Sequence, residues 1–512
     1  MKFRSNILKA AVFLSGFSGI VAEYVLSTLA SYFLGNSLVQ WAMIISVMLF
    51  SMGLGARFSK YINNNLLSSF ILIEFILSIF VASSSLISYT TAAFTDSTVF
   101  IIYSLSIIIG FLIGLEIPLV IRLNDELEEL KINISAVLEK DYYGSLAGGL
   151  FFSFFGLPYL GLTYTPMVLG SLNLIVAILL LIIVIKSLDK KSFKPILILG
   201  FITVTILVSN FIFADKILLF AEQRTYQDKV IYSEQSKYQK IVITQWKEDY
   251  WLFINGSQQL SSYDEVLYHE PIVHIPAYLS AYQKKALVFG GGDGCVAREL
   301  LKYPQLEYIK LVDLDPAMTN LGRNHSVINS INNDALNSDK VKIFNQDAFT
   351  FAKAEKQLYD LIIIDLPDPK TPDLSRLYSR EFYWLCNKIL SNDGIIITQA
   401  GSPYYAPEAF NCIDNTLQSA GFATVPMHNQ IMTLGEWGWI LGSKSLSKLQ
   451  LRTRLESAKF DNIETQFLNN SAVNMMINFG NNIFIKDSIQ SVNTLNEPFL
   501  YQYYLSGDWK LY

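Results

Sequence analysis

The sequence predicts an N-terminal α-helical multi-span membrane domain (1–220), a small β domain (221–265), an α/β domain built on a parallel sheet (266–445) and a C-terminal extension (446–512). Three observations carry this reading. No Asp, Glu, Lys or Arg occurs from Tyr24 to Ala56, nor from Tyr142 to Ile185. Past Phe220 charge returns, and two strand-like runs follow. From Ala286 onward apolar strand runs alternate with helical ones.

The uncharged runs exceed what a buried globular helix needs and match membrane spans. Hydrophobic residues make up 51% of the 512 and charged ones only 16%, against about 25% charge in ordinary soluble domains. Seven spans are predicted, near 10–32, 38–56, 68–92, 98–121, 143–162, 165–185 and 194–214. "FGLPYLGL" is expected to break the long run into two of them, and 122–141 reads as a charged connection. Glu23, Glu74 and Glu116 fall inside apolar stretches, which makes them functional candidates; helix–helix hydrogen bonding is the plainer alternative. Glycines in "FSGFSG", "SMGLGA" and "YYGSLAGG" suit close helix packing.

Basic residues flank the first span (Lys2, Arg4, Lys9), follow the second (Arg57, Lys60) and precede the last (Lys186, Lys190, Lys191, Lys194). With the N-terminus cytoplasmic, seven spans carry the second half outside, whereas its chemistry calls for the cytoplasm. The sequence leaves that conflict open. The expected location is the cell membrane, multi-pass, with a cytoplasmic catalytic domain and the lipid bilayer as partner.

Net charge is −5 and the second half has no basic tract, which argues against nucleic acid. Three separated cysteines and four histidines form no metal pattern or disulfide framework, so no metal is expected.

In the second half, 238–245 and 250–260 read as strands around polar turns. "KALVFG" is a strand, "CVARELLKY" a helix, and 309–315, 340–347, 359–369 and 394–400 are further strands, with a helix over 376–390. Ligands of such sheets bind beyond the C-terminal strand ends. Acids fall at four of those ends: Asp293, Asp313, Asp347 and Asp365.

Gly290 and Gly292 of "FGGGDG" allow close approach of backbone to ligand. Asp293 in that turn disfavours a pyrophosphate, because like charges would meet. It favours a ligand with a ribose and a positive group, such as a sulfonium nucleoside; capping the next helix is its plainer role. Asp313, about 20 residues on, is spaced to accept from ribose hydroxyls. In "IIIDLPDPKTP" the apolar strand delivers Asp365, and two prolines stiffen the loop that carries Asp368. Tyr268, Glu270, Gln239 and Gln259 add polar contacts. Together they suggest an anionic, aromatic slot for a linear di- or polyamine, with Asp365 as proton acceptor.

These residues resemble the spermidine synthase (polyamine aminopropyltransferase) family, and the whole chain its membrane-anchored, multi-span branch. The resemblance covers about Tyr232 to Leu441 and rests on "YQKIVI", "YDEVLYHEPIVHIP", "VFGGGDGCVARELLK", "VDLDP", "QDAF", "DLPDP", "LYSREFY" and "GEWGW". It implies a methyltransferase-like (Rossmann-like) catalytic fold, no cofactor, and decarboxylated S-adenosylmethionine as co-substrate. The donor's aminopropyl amine falls to Asp293, its ribose to Asp313 and its adenine to Asp347. Asp365 becomes the base and Asp368 an acceptor ligand. Tyr268, His269 and Glu270 match the family's Y-[HQ]-E element, Gln239 and Gln259 its pocket glutamines. The implied reaction is aminopropyl transfer, most simply to putrescine, and a homodimer is compatible with it. Cys295 replaces the family's usual last glycine, and Leu366 and Pro367 stand where a Ser/Thr pair is common. The alternatives are an S-adenosylmethionine-dependent methyltransferase and a polyamine-binding transporter or sensor.

Overall fold

The computed structural model describes the chain except Met1 and residues 35–36, 64, 96, 126–128, 185–189, 481–490 and 510–512. It divides into two compact units, Met1–Lys237 and Tyr238–Tyr512.

The first unit is helical: α1 (Lys2–Leu34), α2 (Ser37–Phe58), α3 (Leu66–Phe94), α4 (Thr98–Asn124), α5 (Leu130–Phe151), α6 (Gly161–Val184) and α7 (Lys190–Thr225), followed by strand β1 (Lys229–Gln235). Six helices among the described residues are long and apolar enough to cross a membrane. The sequence predicts seven spans, and the difference lies at "FGLPYLGL". There α5 passes through a π-helical stretch, Phe152–Leu160, towards α6, so 143–162 and 165–185 are joined in one 54-residue run, Leu130–Ile183, more than twice the length of about 20 residues that one crossing needs. Pro158 and Gly161, at φ +63°, interrupt the α-helical pattern, and the chain turns back there: Thr165 Oγ1 donates to Gly156 O at 2.9 Å, and Gly148 of α5 and Asn173 of α6 meet α1 at the same level, at Phe17 and Ser18. The connection predicted at 122–141 is helical from Leu130.

Outward-facing Phe50, Phe100, Phe154 and Phe201 are exposed, an apolar surface that water would oppose. Backbones pack closely where glycines meet. A Cβ on Gly144 would lie 2.0 Å from Phe13 O, and one on Gly114 2.1 Å from Met52 O. Glu23, Glu74 and Glu116 are buried. Ser15 donates to Glu116, whereas neither Glu74 oxygen has a hydrogen-bond partner among the described residues.

The second unit opens with an antiparallel sheet of β2 (Lys240–Trp246), β3 (Asp249–Ile254) and β4 (Ser257–Ser261). The run predicted as one strand over 250–260 is a hairpin. Asn255 and Gly256 both take positive φ (49° and 77°), as a two-residue turn matching strand twist requires. A helix, Val266–Leu279, follows.

The main sheet contains β5 (Lys285–Gly290), β6 (Tyr308–Val312), β7 (Val341–Phe344), β8 (Tyr359–Asp365), β9 (Leu390–Gly401), β10 (Ala423–Ile431) and β11 (Gly435–Ser443), in the order β10-β11-β9-β8-β5-β6-β7. Strands β5 to β9 pair in parallel; β11 and β10 extend one edge antiparallel. Alternation along the strands builds a core on each face. Ala286, Val288, Leu361 and Ile363 enter one, Leu287, Phe289, Ile362 and Ile364 the other. Strand order reverses between β5 and β8, which opens a crevice beyond their C-terminal ends.

Candidate active site

The glycine loop leaves β5 beside the end of β8. Gly290 and Gly291 have φ of +82° and +67°. A Cβ on Gly290 would stand 1.9 Å from Asp365 O, and one on Gly292 2.6 Å from Asp313 Oδ2. Only glycine lets this loop pass against both acids. A cavity of 340 Å³ opens there, lined by Gln239, Gln259, Tyr268, His269, Gly290, Gly292, Asp293, Asp313, Asp365 and Asp368 among others. Its volume suits a small organic ligand.

Tyr268 Oη donates to Asp365 Oδ1 at 2.7 Å. Burial, with Asp293's charge, pushes the Asp365 carboxyl up to about 6, against the pull of His269 and the Tyr268 hydrogen bond. Burial and Asp365 hold the Tyr268 phenol well above its ordinary value, so it stays a neutral donor. Asp293 Oδ1 accepts from Cys295 N–H (2.7 Å), which anchors the next helix while Asp293 still lines the cavity. Asp313 Oδ1 accepts from Asp315 N–H (2.8 Å). Burial pushes Asp313 up to about 7, opposed by that hydrogen bond. Asp368 Oδ2 accepts from Tyr504 Oη (2.6 Å).

His269 belongs to a network that sequence reasoning missed. Its Nδ1 lies 2.7 Å from Glu265 Oε2, and Arg298 grips both Glu265 oxygens, at 2.7 and 2.9 Å. Burial alone would lower the imidazole's pKa. The Glu265 hydrogen bond and charge, with Asp293 and Asp365 near, lift it to about 9 instead. Burial works against ionisation of Glu265 too, yet His269 and Arg298 hold it near 2. A cationic imidazolium therefore faces the acids, and ligand atoms of His269, Asp293 and Asp365 lie within 4.8 Å of one another. The i,i+4 spacing of Glu265 and His269 was the available signal; Arg298 left none.

Two predicted residues stand outside the cavity lining. Asp347 caps the helix Ala348–Ala354 through Thr350 N–H (2.9 Å) and pairs with Arg376. Glu270 is fully buried and accepts from the backbone N–H groups of Gln466, Phe467 and Leu468 at 2.6, 2.9 and 2.8 Å. Gln399, absent from the sequence reading, lines the cavity and donates to Leu366 O (2.8 Å) and Tyr378 Oη (2.6 Å).

Residues 265–453 match the Spermine/spermidine synthase domain family. Polyamine aminopropyltransferase 2 of Aquifex aeolicus (strain VF5) is 43% identical over 505 residues, 98% of each chain. The polyamine aminopropyltransferase of Oceanobacillus iheyensis is 35% identical over 504 residues, 96% of each. A solved structure of spermidine synthase in complex with the transition state analogue AdoDATO matches at TM-score 0.45 and 25% identity, covering 49% of this chain and 86% of that one. Matches to the sequence relatives run through the helical half as well as the sheet domain. The chain belongs to the polyamine aminopropyltransferase family.

Proposed function

We propose that this protein transfers the aminopropyl group of decarboxylated S-adenosylmethionine to putrescine, giving spermidine and 5′-methylthioadenosine. The observation that carries the reading is the Tyr268–Asp365 pair, 2.7 Å apart, at the end of β8 beside the glycine loop.

The acceptor nitrogen attacks the aminopropyl carbon bonded to sulfur. The C–S bond breaks, its electrons neutralise the sulfonium, and the nitrogen's excess proton passes to Asp365. A neutral thioether leaves, so the work is positioning and deprotonation. Asp293 orients the aminopropyl ammonium and Asp313 accepts from the ribose. Adjacent placement of β5, β6 and β7 supports a donor laid across their ends with its adenine toward Asp347. Asp368 holds the acceptor, with Gln239 and Gln259 lining the same space.

Methyl transfer is the competing chemistry. Its donor keeps a carboxylate, which Asp293 would repel. Purified full-length protein with decarboxylated donor and putrescine should release methylthioadenosine and spermidine. Adenosylhomocysteine from intact S-adenosylmethionine would overturn the assignment.

The helical unit we read as a membrane anchor, supported by its apolar outer surface. We place the catalytic unit on the cytoplasmic side, where its small-molecule chemistry calls for it. Protease protection of the second unit in sealed, right-side-out vesicles tests this; cleavage without permeabilisation would refute it.

A further inference from the structure

The chain beyond the last strand returns to the cavity. Asn493 is fully buried; its Nδ2 donates to Ser375 O (2.7 Å) and Tyr378 O (3.1 Å). Tyr378 Oη in turn donates to the carbonyls of Leu366 and Pro367 at 3.1 and 3.0 Å. The loop joining Asp365 to Asp368 is thus held from behind. Eleven residues after Asn493, Tyr504 sits on a short helix, Leu500–Leu505, nearly inaccessible to solvent. Its Oη donates to Asp368 Oδ2 at 2.6 Å. Trp509 fixes Tyr504 in turn: Nε1 donates to Tyr504 O at 2.7 Å, and the rings stand 4.6 Å apart.

A second group competes for the same oxygen. Lys370 Nζ lies 3.7 Å from Asp368 Oδ2 and donates to Ser257 Oγ at 2.6 Å. The two partners differ in consequence. A lysine ammonium would cancel the charge with which Asp368 attracts a cationic substrate. A neutral phenol orients the carboxylate and leaves its charge intact.

We propose that Tyr504 is a positioning residue for the acceptor amine: it holds Asp368 by Oδ2, keeps it from collapsing onto Lys370, and leaves Oδ1 to the incoming ammonium. This rests on the acceptor role given to Asp368 above. It assigns the C-terminal segment a part in substrate selection, although that segment lies beyond the matched residues 265–453.

The test is steady-state kinetics of the full-length protein in detergent, with putrescine varied at saturating donor. Tyr504→Phe keeps the ring and removes the hydroxyl. It should raise acceptor KM about tenfold, the scale of one hydrogen bond to a charged group. Donor KM and apparent Tm should stay near wild type, and kcat should change less than KM. Adding Tyr504→Phe to Asp368→Asn should change acceptor KM no further, because the two act through one contact. Lys370→Met in the Tyr504→Phe background should recover part of the loss. Trp509→Phe, which removes the donor to Tyr504's carbonyl, should shift acceptor KM the same way and serves if Tyr504→Phe folds poorly. An unchanged acceptor KM in Tyr504→Phe, with Asp368→Asn impaired, overturns the role of Tyr504 alone. An unchanged acceptor KM in Asp368→Asn overturns the acceptor assignment and this inference with it.

Discussion

Replacing Asp365 with Asn removes the proposed base while keeping the side chain's size and its hydrogen bond from Tyr268. With its carboxyl pushed up to about 6, Asp365 is about 99% ionised at pH 8 and about half ionised at pH 6. An amide cannot take the nitrogen's proton, and loss of a positioned base removes about 10²–10⁴ in rate. The expected result is a kcat decrease of that order. Donor affinity should stay within about threefold, since Asp293 and Asp313 are retained. The assay is methylthioadenosine release at saturating donor across pH 5 to 9. Saturation keeps Asp313, itself pushed up to about 7, within the donor complex. Wild-type kcat/KM for putrescine should fall as pH drops through about 6 or somewhat below, because the donor's positive charge favours the ionised acid. That break should vanish in Asp365→Asn. Turnover within threefold of wild type would refute the base assignment, and a persistent acid break would assign the titration to another group.

Three further outcomes follow from the geometry. His269 is raised from its ordinary 6.5 to about 9, so its stabilising charge is fully present below 6.5 and is lost as pH rises through about 9. Apparent Tm should therefore fall between pH 7 and 9.5, and fall less in Glu265→Gln; equal slopes would count against the network. Gly290→Ala places a Cβ 1.9 Å from Asp365 O at φ +82°, a strain of at least about 1–2 kcal/mol from φ alone. Lower apparent Tm together with lost turnover is expected, and wild-type activity would contradict the close approach. Burial pushes the Cys295 thiol well up and leaves it inaccessible, so Cys295→Ala should stay active and iodoacetamide should not inactivate the wild type through this residue.

Much of the site was legible because the signals were local. Apolar strands that each end in an acid put Asp293, Asp313 and Asp365 beside one crevice, and parallel pairing needs little more than alternation to be foreseen. Other features hid for physical reasons. The helix Val266–Leu279 contains Pro271 and Pro276, which mask its periodicity. Pro158 and Gly161 signalled the break between 143–162 and 165–185, where the chain turns back, whereas the π-helical form of Phe152–Leu160 left no sequence signal. Contacts distant in sequence left no trace: Arg298 with Glu265, and Tyr504 with Asp368. Glu270 read as a substrate ligand because it adjoins Tyr268 and His269, whereas its carboxylate serves the backbone at 466–468.

That last contact bears on how the protein can be dissected. Tyr268, His269 and Glu270 are consecutive, yet two line the reaction space and the third is a buttress for a distant stretch of chain. A fragment trimmed to 265–453 would strand Glu270 in an apolar interior without its three amide donors, a loss of several kcal/mol. It would also discard Asn493 and Tyr504. Such a fragment would carry the recognisable motifs and still lack the scaffolding that shapes them, so a working catalytic piece is expected to extend at least through Trp509, which fixes Tyr504.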